Sequence, residues 1–313
     1  MKGFILSISL LLCLLSATAQ LTYETLYVDY DSTWQFRNLK IIPVRRRGGG
    51  GMPGPSNVVT LGEALKQGLI TVTERGTTSF DNVHFLRFNT HSNKSVYIGG
   101  GEIIAGGRQD RMIIQDTILA PSSKDQYVPV MCVEEGRWSE KEKKFAYGNY
   151  ANEGLRKVLD STHNQVRIWL EVNRQLQLGK FKNTSLAYMS RYQDKKYMTV
   201  VDEYFRFFQN KFEHSDSTIV GFVALSGDEV IGSDIFEGAD LFYHQLEPLL
   251  HGYIDEAIQA GSPVTLKDVQ VRRYMDKLLK DQPSQNAFVH DNGKIFRDGG
   301  RVVHVNTDVR MTP

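Results

Sequence analysis

The chain has 313 residues, 41% hydrophobic and 23% charged, with 37 basic side chains against 36 acidic ones. That near-balance excludes nucleic acid and an anionic membrane surface as the main partner, because both select a basic surplus or stripe. A chain this long buries a core without covalent staples.

Residues 1–19 read as a secretory leader. Lys2 supplies the positive start, Phe4 to Leu15 the short apolar run, and Ala17-Thr18-Ala19 a small-residue cleavage site before Gln20. The run is too short to span a bilayer, and Leu12 before Cys13 does not suit a lipoprotein cleavage box. The reading predicts a soluble, periplasmic or secreted protein with no membrane span. Loss of the leader removes Lys2 and Cys13, which brings the charges into balance and leaves Cys132 with no intramolecular disulfide partner.

The mature chain opens with β-leaning residues, Tyr23 to Tyr30 and Asn38 to Val44. Arg45-Arg46-Arg47, four glycines and Met52-Pro53-Gly54-Pro55 then form a low-complexity loop, and no Lys-Ser or Lys-Thr pair follows to make it a phosphate loop. Thr60 caps a short helix, with Glu63 at the capping-box position and Gly68 as its stop. From Leu69 to Val133 the chain reads as strands, LITVTER, VHFLRFNT, SVYI, EIIAG, RMIIQDTIL and YVPVMCV, separated by Gly, Ser, Pro and Asn.

The pattern turns helical after Trp138. Leu155 to Leu178 has mostly helical apolar spacing, and Lys196 to Phe212 predicts a second helix. Thr218 to Phe236 reads as a hairpin about Gly227-Asp228. Ala239 to Ala260 and Leu266 to Leu279 predict further helices, and a β tail from Phe288 turns at Asn292-Gly293. Strands and helices do not alternate regularly, so the expected class is α+β: a mostly antiparallel β region, then several helices and two hairpins. Residues 20–313 are expected to form one such domain, with its core at about 39–260 and a tail at 264–310.

Chemistry concentrates between Gly99 and Trp138. Glu102, Arg108, Gln109, Asp110, Arg111, Glu134 and Arg137 sit among β-like apolar runs, where charged groups are costly to desolvate. Gly101-Glu102, the triplet Gln109-Asp110-Arg111 and the run Pro129-Val130-Met131-Cys132-Val133-Glu134-Glu135-Gly136-Arg137-Trp138 resemble the ARG and rhodanese-phosphatase-superfamily associated domain family. Weaker echoes follow at Val166-Arg167-Ile168-Trp169 and in the hairpin at Gly221-Phe222-Val223 and Gly232-Ser233-Asp234-Ile235-Phe236. The resemblance spans roughly Leu39 to Ala260 and implies a domain of unknown activity with a genomic link to ADP-ribosyl-glycohydrolase and phosphatase systems. The leader and the tail after Pro263 stand outside it.

Three catalytic candidates come from this segment. Cys132 shares a strand face with Val128 and Val130, the setting of a small buried hydrophobe more than of a nucleophile. Glu134 and Glu102 can form a carboxylate pair, and Arg111 or Arg137 can clamp an anion. The plainer alternative is a salt-bridge network that fixes two turns. Trp138 and Trp169 suit core or rim packing.

His244, Glu247 and His251 fall on roughly one helical face, but Pro248 is expected to interrupt that helix, and no further metal ligand is evident. They read as a solvated polar face, and no metal or cofactor is assigned. Asp-Ser/Thr triplets at Asp31, Asp116, Asp160 and Asp216 resemble a bacterial O-glycosylation acceptor pattern.

The leading expectation is an exported binding or accessory module, in which Glu102, Gln109, Arg111, Glu134 and Arg137 line one site for a small polar or anionic ligand. The alternatives are a hydrolase using Glu134 and Glu102 with Arg137 or Arg111, and a scaffold for protein contacts.

Overall fold

A computed structural model describes residues 20–48, 58–74, 84–139, 141–213 and 216–308; the expected leader and most of the glycine-rich loop lie outside the described residues. The first half is strand-rich: β1 (Leu26–Val28), β2 (Trp34–Phe36), β3 (Leu39–Arg46), β4 (Val58–Thr60), helix α1 (Leu61–Lys66), β5 (Ile70–Thr73), β6 (Phe85–Thr90) and β7 (Ser95–Ile98). It continues with β8 (Glu102–Gly107), β9 (Arg111–Ile113), β10 (Thr117–Leu119), β11 (Gln126–Cys132) and β12 (Lys143–Tyr150). Helices α2 (Glu153–Thr162), α3 (Gln165–Leu178) and α4 (Lys195–Gln209) follow, then strands β13 (Ile219–Ser226) and β14 (Glu229–Phe236). Helices α5 (Ala239–Gln259), α6 (Asp268–Leu279) and α7 (Gln282–Asn292) lead to the closing hairpin of β15 (Gly293–Asp298) and β16 (Arg301–Thr307). The class is α+β.

The strands form three sheets. One has seven strands in the order β1-β3-β13-β14-β16-β15, with β2 also on β3. Its central strand β13 is buried along its whole length, because helices cover both faces. Phe222, Ala224 and Phe236 meet Tyr204 and Phe208 of α4 and Leu249, Leu250 and Tyr253 of α5. Val220, Val223 and Ile235, pointing the other way, meet Val271, Met275 and Leu278 of α6 and Val289 of α7.

The second sheet, β12-β8-β9-β11-β6-β5, is antiparallel throughout. One face shares a core with α1 and the small sheet β10-β7-β4; the other packs Ile103, Met112, Met131 and Val133 against α2 and α3. Within the small sheet, β4 and β7 run parallel.

Several local expectations change. The capping box is present, the Thr60 N–H donating to the Glu63 carboxylate at 3.0 Å. RMIIQDTIL is two strands, because Gln115 and Asp116 leave the second sheet to start β10. Lys143–Tyr150, not anticipated as a strand, is an edge of that sheet.

The stretch Leu155 to Leu178 is two helices. His163 takes a left-handed φ of 46°, and the Asn164 side chain restarts the helix by accepting the Val166 and Arg167 N–H groups. Pro248 does not interrupt α5, which stays helical past it because Leu249, Leu250, Tyr253 and Ile254 beyond are buried in the core. The tail is not all β. Asp281 caps α7 through the Ser284 N–H, Pro283 sits in its first turn, and the hairpin turns at Gly299-Gly300 rather than Asn292-Gly293.

Candidate functional site

Glu102 begins β8, directly after the Gly99-Gly100-Gly101 turn. Gly101 holds a φ of 102°, and a Cβ there would stand 2.8 Å from the Tyr150 ring, so only glycine admits this strand start. The Glu102 carboxyl accepts the Gly99 N–H at 2.6 Å and the Tyr147 O–H at 2.9 Å, and it has no exposed surface. No cation pairs with it among the described residues. Burial therefore pushes it up to about 8, with the two hydrogen bonds opposing and the Asp116 charge adding to the rise.

Glu102 reaches the wall of a cavity of about 670 Å³. The rest of the wall comes from Gly62, Glu63 and Lys66 of α1, Lys144, Tyr147 and Asn149 of β12, and His244, Glu247 and His251 of α5. His244 pairs with Glu63 at 2.8 Å. His251 stacks on Phe205 with ring centroids 4.9 Å apart; its Nδ1 is buried without a hydrogen-bond partner, and burial lowers its pKa. The helix face that reads as merely solvated thus lines the same cavity as Glu102. Sequence spacing had aligned the three α5 residues, but nothing in the sequence placed α5 beside β12.

The other candidates lie elsewhere. Arg111, 1% exposed, pairs with Glu74 at 2.8 Å and donates to Gln109 Oε1 at 3.4 Å. Gln109 also donates to the Glu135 carbonyl at 3.4 Å. Cys132 lies opposite Arg111 across β9 and β11, buried, and burial pushes its thiol up, the reverse of what a thiolate nucleophile needs. Its backbone is clasped by Gln165, which accepts its N–H at 2.8 Å and donates to its carbonyl at 2.7 Å.

Glu134 and Arg137 form a third group. The Arg137 Nε donates to both Glu134 oxygens at 2.8 Å, and its Nη2 donates to Asp110 and to the Gly106 carbonyl at 3.0 Å. Burial opposes ionisation of Glu134, yet the Arg137 and Ser185 hydrogen bonds outweigh it and hold the carboxyl below its ordinary value. The five residues expected to share one cleft are therefore divided: Glu102 alone at the α5 cavity, Gln109 with Arg111, and Glu134 with Arg137. Trp138 is at the rim, half exposed under the Arg108 guanidinium. Of the O-glycosylation triplets, Ser161 and Ser217 are exposed, whereas Ser32 and Thr117 are partly buried.

A charge cluster centred on buried Arg156 escaped the sequence reading. Arg156 of α2 meets Glu153 at 2.7 Å, Asp234 of β14 at 3.1 Å and Asp308 at 3.2 Å. His304 of β16 bridges Asp234 at 3.0 Å and Asp116 at 2.7 Å while stacking on Phe236, and Lys294 pairs with Asp160. Burial pulls His304 down, but its two carboxylates overcome this and raise it to about 9. Burial keeps Glu153 well above its ordinary value and, with Asp308 beside it, lifts Asp160 to about 8. The available signal was a charged or basic residue inside an apolar strand, Asp234 in VIGSDIF and His304 in RVVHV.

Among the described residues no set of His, Cys, Asp or Glu is grouped to hold a metal ion, and no helix is long and apolar enough to cross a membrane. No curated protein and no solved structure matches the chain. The family model that does match covers residues 27–312, so it takes in both the Glu102-to-Trp138 segment and the helices and hairpin after Pro263 that had seemed additional. The chain belongs to the family of the ARG and Rhodanese-Phosphatase-superfamily-associated Protein domain.

Proposed function

We propose that the protein is an exported binding or accessory module that takes a small polar ligand in the cavity between α1, β12 and α5. The observation that carries this reading is Glu102, a buried carboxyl without a cation, raised to about 8 and set on the wall of a cavity of about 670 Å³. The buried carboxylates Glu74, Asp110, Glu134, Glu153 and Asp234 each have an arginine partner; one with no cation among the described residues, beside a cavity, is the kind of perturbed group that marks a binding site. Lys66, Lys144, Glu63 and Glu247 supply charge to the same wall. Arg111 with Glu74, and Arg137 with Glu134 and Asp110, act in this reading as fixtures of the fold.

A second reading follows from the same wall. Glu102 retains its proton near neutral pH while burial keeps His251 neutral, an acid and a base suited to hydrolysis. Here His251 takes the role first considered for Glu134, whose oxygens are held by Arg137.

Thermal-shift screening with sugars, nucleosides, amino acids and divalent metals, run on wild type, Glu102→Gln and Lys144→Ala, tests the site. A compound that stabilises wild type and loses its shift in either variant is the expected result, and turnover of that compound would select the second reading. If every shift survives in both variants, or no compound gives one, the cavity is not a binding site.

A further inference from the structure

The run from Pro129 to Trp138, the most specific stretch of the sequence, puts Glu134 and Arg137 on the wall of a different cavity. This one, of about 800 Å³, lies between β8, the start of β12 and the segment from Phe181 to Gln193. Three pieces of chain are fixed around it by interactions that fill no core. Arg137 ties Glu134 and Asp110 to the carbonyls of Gly106 and Gly107. The Gly136 N–H donates to the Ser185 carbonyl at 2.8 Å, and the Tyr188 N–H donates to Val133 at 2.9 Å. Glu134 and Ala187 add an isolated β-bridge. Leu186, between these anchors, is held at a φ of 50°, a left-handed conformation costly for a bulky side chain. Backbone strain of this kind persists where the surroundings over-determine it, and it concentrates at ligand clamps.

The chemistry of the lining is uneven. Both carboxylates in it, Asp110 and Glu134, are taken up by Arg137. Lys143 and Lys182 bring two exposed ammonium groups from separate segments, neither with an acidic partner among the described residues. Asn183 Oδ1 is buried with no hydrogen-bond partner among the described residues, and Thr184 and Gln193 line the same cavity. An orphaned buried acceptor calls for a donor.

We propose that this cavity binds a small phosphorylated polyol. The two lysine ammoniums take the phosphate, a role suited to point charges once the guanidinium fork is occupied within the protein. Asn183 Oδ1 accepts a ligand hydroxyl, and Thr184 and Gln193 take others. A volume of about 800 Å³ is far more than a bare phosphate fills, which favours a phosphate ester over the free ion.

Titration calorimetry of the full chain with glucose 6-phosphate, glucose and inorganic phosphate tests this. The variants are Lys143→Ala/Lys182→Ala, both lysines being exposed and dispensable for packing, and Asn183→Ala. Glucose 6-phosphate is expected to bind wild type at least about tenfold more tightly than glucose or phosphate, and to lose at least about tenfold in the double-lysine variant. Asn183→Ala is expected to weaken the ester and leave inorganic phosphate unchanged. Glu102→Gln, at the other cavity, is expected to change nothing, which separates failure of this site from failure of the α5 cavity. Undiminished binding by the double variant, equal affinity for glucose, or no measurable heat from glucose 6-phosphate overturns the proposal.

Discussion

Around Arg156, three buried carboxyls (Glu153, Asp234 and Asp308) and two partly buried ones (Asp116 and Asp160) meet three cations, Arg156 and His304 buried and Lys294 partly exposed. Around Glu102, one carboxyl is buried with no cation among the described residues. The first cluster reaches charge balance once Glu153 and Asp160 keep their protons, and its members come from α2, β14, β15, β16, the residue just after β16 and the loop before β10. It sits where the sheets meet and locks the C-terminal hairpin to the body of the fold. Glu102 has hydrogen bonds but no neutralising charge among the described residues, and it lies buried behind the wall of a cavity. Burial of charge alone says little about function; what surrounds the charge separates architecture from a site.

The sharpest way to break that comparison is to remove the central cation. Arg156→Met leaves Asp234, Glu153 and Asp308 buried without their guanidinium, and the expected loss is about 3–5 kcal/mol in urea unfolding at neutral pH. A loss near zero would mean that the cluster is not architectural.

Arg137→Ala strands Glu134 and Asp110 in the same way. Its guanidinium is partly exposed, so water replaces some of the lost bonds, and the expected loss is smaller, about 1–3 kcal/mol. The Glu102 cavity shares no residue with this group, and ligand shifts there should persist.

Glu102→Gln is expected to act in the opposite direction. The folded Glu102 holds its proton up to about 8 against an ordinary value of 4.5, so the native state binds more protons than the unfolded chain between those values. Stability from this group is complete below 4.5 and declines as pH rises toward 8. The glutamine variant escapes this decline and should exceed wild type by on the order of 2 kcal/mol at mildly alkaline pH.

His304 supplies a decline that the variant retains. Raised from 6.5 to about 9, it contributes stability fully below 6.5 and loses it as pH rises through 9. Unfolding free energies from pH 5 to 9 for both proteins would separate the two contributions. A Glu102→Gln curve parallel to wild type would show that Glu102 does not titrate in this range.

Local chemistry made much of the fold legible. The capping box at Thr60 and Glu63, the Gly227-Asp228 hairpin and the strands from Leu69 to Val133 follow from short-range rules of hydrogen bonding and side-chain alternation. The errors fell where distant contacts override such rules. Pro248 stays helical because the second half of α5 is buried, and Lys143–Tyr150 becomes a strand because β8 offers an edge to pair with.

The site residues divide along the same line. Glu102, Arg111, Glu134 and Arg137 were identifiable as charged groups in apolar strands, and His244, Glu247 and His251 as one helix face. Their partners were not, since Glu74 lies 37 residues from Arg111, and His304 lies 188 from Asp116.

By itself, then, the sequence determined which segments bend, alternate and coil, the α+β class, the family, and which side chains are too costly to bury without a reason. Only the tertiary structure decided which of those charges found a counter-charge. Desolvation is incurred residue by residue and can be read from the sequence, whereas neutralisation depends on groups tens of residues apart, up to 188 here, arriving within about 3 Å of one another. Glu102 found none among the described residues, and that absence, invisible along the chain, is what distinguishes its cavity.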